Sequence, residues 1–135
     1  MKCPSALLVF VLALCAGYCL TASTYTTKYD NIDLDEILNN ERIYKKYYNC
    51  LLNRGRCTPD GKELKENLPD ALQTACEKCS EKQKQGSEKV LKFILDHKPE
   101  DYLALEEMYD PDKKYRHKYE KDAKERGLEF PEPKE

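Results

Sequence analysis

Beyond residue 23 the apolar positions recur at helical spacing, and no stretch alternates apolar and polar residues long enough to predict a strand. The pattern therefore predicts an all-α chain, and six segments carry it. Asn31 or Asp33 can cap a short first helix bearing Leu34, Ile37 and Leu38. The run ERIYKKYYNCLLNRG predicts a second, with Ile43, Tyr44, Tyr47, Tyr48, Leu51 and Leu52 on one stripe and Gly55 as its terminator. Thr58-Pro59 opens a third, whose inward face holds Leu64, Leu68, Leu72 and Ala75, with a kink or restart expected at Pro69. A fourth is predicted from about Cys76 to His97 with Val90, Leu91, Ile94 and Leu95 inward, ending before Pro99. PEDYLALEEMYDP predicts the fifth, around Tyr102, Leu105 and Met108. KKYRHKYEKDAKERG predicts the sixth, with Tyr115, Tyr119 and Ala123 near one face and Gly127 at its end. Leu128 and Phe130 can fold back onto the bundle; segments 24–32 and 131–135 are expected to be flexible.

Residues 1–23 break this pattern. They hold one charge, Lys2, then the apolar run Ala6 to Leu14 and a small-residue exit at Thr21-Ala22-Ser23, the layout of a secretory signal peptide. The run is shorter than the ~20 residues a bilayer span needs, so a secreted, extracellular domain over 24–135 is expected, with no stable membrane insertion. Its loss would remove Lys2 and leave 22 basic residues against 25 acidic ones, a net charge of −3. That balance argues against either nucleic acid or an anionic membrane surface as a partner.

The same cleavage would take Cys3, Cys15 and Cys19, leaving four of the seven cysteines: Cys50, Cys57, Cys76 and Cys79. In an oxidising compartment four cysteines read as two disulfides, with three possible pairings. A thioredoxin-like catalyst would place the CEKC motif after a strand, and none is predicted before Cys76. A four-thiolate zinc site lacks its paired short-spaced knuckles, and His97 and His117 stand alone on charged helices. Short structural staples, Cys50 with Cys57 and Cys76 with Cys79, are the favoured reading, and no metal or cofactor is expected. No nucleophile elbow, metalloprotease motif or phosphate-binding glycine loop is present, so no enzymatic activity is predicted. Acidic residues are so frequent that their spacing locates nothing.

Nine tyrosines follow residue 23, and there is no tryptophan. They read either as core and interface fillers with hydroxyls at the surface or as the wall of a pocket, apolar along its length with a hydroxyl for a polar ligand head. The segment YTTKYDNIDLDEIL, the C-x6-C-x18-C-x2-C spacing, and GKELKE, LPDAL, CEKC and KYRHKYE together resemble the insect chemosensory proteins over essentially all of residues 25–130. The resemblance implies six helices packed as a compact bundle around a hydrophobic cavity. It implies disulfides between neighbouring cysteines and reversible carriage of small hydrophobic ligands such as long-chain alcohols, acids, esters or semiochemicals. Carried onto this chain it implies a ligand set of Tyr47, Tyr102 and Tyr119 with Leu34, Leu51, Leu68, Leu72, Leu91, Ile94 and Leu105. Many relatives have Trp where this chain has Tyr102, a smaller ring with a hydroxyl. The expected state is a monomer, with a membrane receptor as a candidate partner. The alternative is a secreted developmental or interaction factor acting through a protein receptor.

Overall fold

The computed structural model describes residues 24–133, so the leader reading lies outside the described residues. The described chain is all-helical, with six helices and no strand: α1 Leu34–Asn39, α2 Glu41–Leu51, α3 Pro59–Thr74, α4 Glu81–His97, α5 Pro99–Tyr109 and α6 Lys114–Glu125. Local chemistry explains most boundaries. The Asp33 carboxylate accepts from Glu36 N–H and starts α1, and Asn40 accepts from Arg42 and Ile43 to start α2. Thr58 caps α3 ahead of Pro59, as its spacing predicts.

Three expectations need correction. Helix α2 ends at Leu51, and Asn53 rather than Gly55 takes the left-handed position (φ 59°). Asn53 N–H reaches the Cys50 carbonyl and Arg54 N–H the Asn49 carbonyl, which closes the helix two residues early. Of the kink or restart expected at Pro69, the restart does not occur: helix α3 is one element from Pro59 to Thr74, with Pro69 inside it. Pro69 is exposed, so its one missing hydrogen bond falls on the solvent side. Helix α4 starts at Glu81, not Cys76, because Ser80 and Gln83 form a reciprocal capping box. Residues 76–79 are instead a tight corner, with Ala75 and Cys76 both left-handed.

Each corner carries a bridge. Cys50–Cys57 spans the passage from α2 to α3, and Cys76–Cys79 the passage from α3 to α4. The segment preceding α1 is tied across the second corner. Tyr25 N–H donates to the Lys78 carbonyl (3.0 Å) and its hydroxyl to Asp70 (2.5 Å). Asp30 accepts from Ser80 and Gln83, both at 2.8 Å. Burial and the Asp70 carboxylate together push the Tyr25 hydroxyl up to about 12.

Two apolar clusters meet at Tyr102. Leu38, Tyr44 and Ile94 anchor one, with Tyr48, Val90, Phe93 and Leu105 against it. Leu95, Ala123 and Leu128 anchor the other, with Leu91 and Phe130. The fold-back of the tail is thus present, and its cause is local. Gly127 adopts φ 75°, letting Leu128 N–H reach the Ala123 carbonyl (2.8 Å) and placing Leu128 on Ala123.

Candidate functional site

Few of the inward leucines are fully buried. Leu68, Leu72, Leu91 and Leu105 keep the facing their helical spacing predicts, yet each is only half-buried. They border a partly open cavity of about 450 Å³ between α3, α4, α5, α6 and the returning tail. From α3 come Leu68, Leu72 and Ala75; from α4, Leu91 and Ile94; from α5, Tyr102, Leu105 and Tyr109. Helix α6 contributes Tyr115, Tyr119 and Ala123, and Leu128 and Phe130 close one end.

Of the ten residues expected to contact a ligand, seven line this cavity: Leu68, Leu72, Leu91, Ile94, Tyr102, Leu105 and Tyr119. Three lie elsewhere. Tyr47 sits at the first disulfide corner, where its hydroxyl donates to Asp60 and its ring lies beside Gly61. Leu34 packs across α4, with Gly86 opposite its tip. Leu51 offers its carbonyl to the Tyr109 hydroxyl at 2.6 Å.

The hydroxyls of the cavity tyrosines are mostly engaged by the protein. Tyr119 donates to the Leu72 carbonyl (2.5 Å), Tyr109 to Leu51 and Tyr102 to Glu106 (3.1 Å). These rings therefore present mainly their faces and edges. Tyr115 differs: it stacks on Tyr119, with centroids 6.4 Å apart, and among the described residues its hydroxyl has no hydrogen-bond partner.

One wall is charged, which the sequence reading did not single out. Glu106 is 5% exposed and Arg116 8%. Arg116 grips Glu106 through Nε (2.8 Å) and Nη2 (2.9 Å), and Lys113 adds a third contact at 2.7 Å. Nη2 also donates to the Pro131 carbonyl, while the guanidinium lies 5.4 Å from the Phe130 ring centre and 5.9 Å from that of Tyr102. Burial works to raise the Glu106 carboxyl, but hydrogen bonds from Arg116 and Lys113 outweigh it and hold the group below its ordinary value. The Tyr102 hydroxyl is pushed well up, first by burial and then by the Glu106 charge. Asp110, also buried, caps α6 by accepting from Tyr115 and Arg116 N–H groups at 3.1 and 2.9 Å. A signal for this wall does exist in the sequence. Glu106 follows Tyr102 by four residues and Arg116 precedes Tyr119 by three, both on stripes that otherwise hold apolar side chains.

The arrangement offers a greasy cavity with a buried, neutralised Glu106–Arg116 pair, a second charged edge where Arg126 meets Glu88 (3.7 Å) and Asp122 (3.3 Å), and one tyrosine hydroxyl, that of Tyr115, left unengaged. Among the described residues no group of His, Cys, Asp and Glu could hold a metal ion. No described helix is long and apolar enough to cross a membrane.

Comparison with known proteins places this architecture. The chain is 48% identical over 128 residues to ejaculatory bulb-specific protein 3 of Drosophila melanogaster, covering 95% of this chain and 98% of that protein. Among solved structures it is similar to a chemosensory protein in complex with bromo-dodecanol. There the TM-score is 0.69 and the identity 47%, over 74% of this chain and all of that one. It is also similar to antennal chemosensory protein A6 from the moth Mamestra brassicae, with a TM-score of 0.63 and 44% identity over 75% of this chain and 99% of that one. The sequence pattern of the insect pheromone-binding family, A10/OS-D, matches residues 25–117. With its six helices and two corner disulfides, the chain belongs to this A10/OS-D family, a family of binding proteins rather than enzymes.

Proposed function

We propose that the protein is a secreted carrier that takes small elongated apolar molecules reversibly into the cavity between α3, α4, α5 and α6. The observation that carries this reading is the set of inward leucines left half-buried around about 450 Å³ of space. If that space were dry and rigid it would cost about 11 kcal/mol at ~24 cal/mol per Å³, within the ~5–15 kcal/mol that holds a whole domain together. A guest chain instead removes these leucines from water and completes the core. The binding set is then the seven expected residues that line the cavity, together with Tyr109 and Tyr115, while Tyr47, Leu34 and Leu51 support the frame. The similar structure that holds bromo-dodecanol, an apolar chain ending in a hydroxyl, supports this ligand class.

Selectivity should be broad. Each buried methylene contributes about 0.8 kcal/mol, roughly a fourfold step in affinity at best. Displacement of an apolar fluorescent probe by a series of saturated alcohols tests the proposal. Leu91→Trp, which fills the cavity, should abolish probe binding, and Leu64→Trp, on an exposed site, should not. Equal behaviour of the two variants, or a probe that no alcohol displaces, would refute the reading.

A further inference from the structure

Helix α6 has a second face that the cavity does not use. At 100° per residue, Lys114, His117, Lys118, Lys121 and Lys124 fall within an arc of about 120°, along about 15 Å of helix. All five are exposed, on a chain whose net charge is −2. Among the described residues Lys114, Lys121 and Lys124 form no ion pair, and the Lys118 amine meets only the Gln73 carbonyl (3.3 Å) and the Tyr119 ring. The acids of α6 do little to neutralise this arc: Glu125 alone lies on it, Glu120 flanks it, and Asp122 is paired with Arg126 at 3.3 Å.

The stripe is joined to the cavity rim. The Lys114 amine lies 5.8 Å from the Tyr115 ring centre and the Lys118 amine 5.2 Å from that of Tyr119, and both rings line the cavity. The cationic stripe and the cavity wall are therefore two sides of one helix.

We propose that the outer face of α6 docks the protein transiently on anionic lipid surfaces, bringing the cavity rim to the bilayer from which a sparingly soluble guest would leave. Screening confines charge interactions to about 8 Å at physiological salt, so the local stripe, not the mildly acidic balance that argued against an anionic surface, meets it. Lysine also suits such a surface, its ammonium heading an apolar stem. The reason for the orientation rests on the carrier reading; the binding itself does not.

The test is vesicle co-sedimentation, with phosphatidylcholine vesicles compared with vesicles that also contain phosphatidylserine. Wild-type protein should bind only the anionic vesicles, and less as salt rises. Each lysine near an anionic leaflet contributes about fivefold, so Lys121→Gln with Lys124→Gln should weaken binding roughly 25-fold. Neither residue lines the cavity, so probe binding in the same preparation should be unchanged. Lys45→Gln with Lys62→Gln makes the same change in net charge on other helices and should leave vesicle binding intact. The proposal is overturned if wild type ignores phosphatidylserine, if the two double variants bind alike, or if the protein binds polyglutamate but not vesicles. Failure here with probe displacement intact would remove the docking face and leave the carrier standing.

Discussion

Replacing Glu106 by Gln tests whether the charged wall holds the cavity in shape. The change keeps the volume and removes the charge that four donors share: Arg116 Nε and Nη2, the Lys113 amine and the Tyr102 hydroxyl. Leaving one partner of a buried pair uncompensated typically costs 3–5 kcal/mol. Two features place this case at the low end. The Gln carbonyl can still accept one bond, and the Phe130 and Tyr102 rings stay against the guanidinium. A loss of about 3 kcal/mol should lower Tm by roughly 12–15 °C for a domain of this size, read by circular dichroism at neutral pH. Arg116→Met alone should be similarly harmful, whereas the double variant should fall short of the summed losses by about 1–3 kcal/mol. The pH profile supplies a second readout. The Glu106 carboxyl is held below its ordinary value of 4.5, so its contribution is complete above that pH and is lost as pH falls through the lower, folded-state value. Glu106→Gln should flatten the acid limb. Strict additivity in the cycle, or an unchanged acid limb, would show that the pair is passive.

Three further outcomes are expected. Tyr115→Phe removes the one unengaged tyrosine hydroxyl of the cavity and should weaken a long-chain alcohol about two- to tenfold, the worth of a single hydrogen bond. It should leave an alkane of equal length unaffected, and titration calorimetry or probe displacement would separate the two. Opening the Cys50–Cys57 bridge should cost more than opening Cys76–Cys79, since loop-closure entropy gives about 2.5 against 2 kcal/mol and Cys50 is only 1% exposed. Thermal melts of Cys57→Ser and Cys79→Ser check the ranking, and the reverse order would refute it. Gly86→Ala gains up to about 1 kcal/mol of helix propensity against a 2.9 Å approach to the tip of Leu34. Because that methyl can rotate away, a small rise in Tm is expected, and a fall would mean that Leu34 is locked in place.

What the chain made legible follows from the range of the physics involved. Helix existence and inward facing rest on neighbours three and four residues apart, so Leu68, Leu72, Leu91 and Leu105 could be placed from spacing alone. The α4 start was equally local, but the weak Ser80-to-Gln83 capping signal competed with a helical pattern that ran on from Cys76. Asn53 shows the same competition, since glycine is the commoner left-handed residue and the nearby Gly55 drew the assignment. The cavity is different in kind. An apolar stripe is the same string of letters whether it meets a partner side chain or an opening, and only the distances between helices separate the cases. Tyr47 shares a stripe with residues of the core, yet the first disulfide corner and Asp60 turn it away from the cavity. Glu106 and Arg116 lie ten residues apart on different helices, and each alone reads as one more charge among many. Their meaning arises only when α5 and α6 close, because a carboxylate on an inward stripe can be buried only if a cation arrives from the opposite wall. The cavity is therefore shaped as much by where this chain hides charge as by where it gathers leucine.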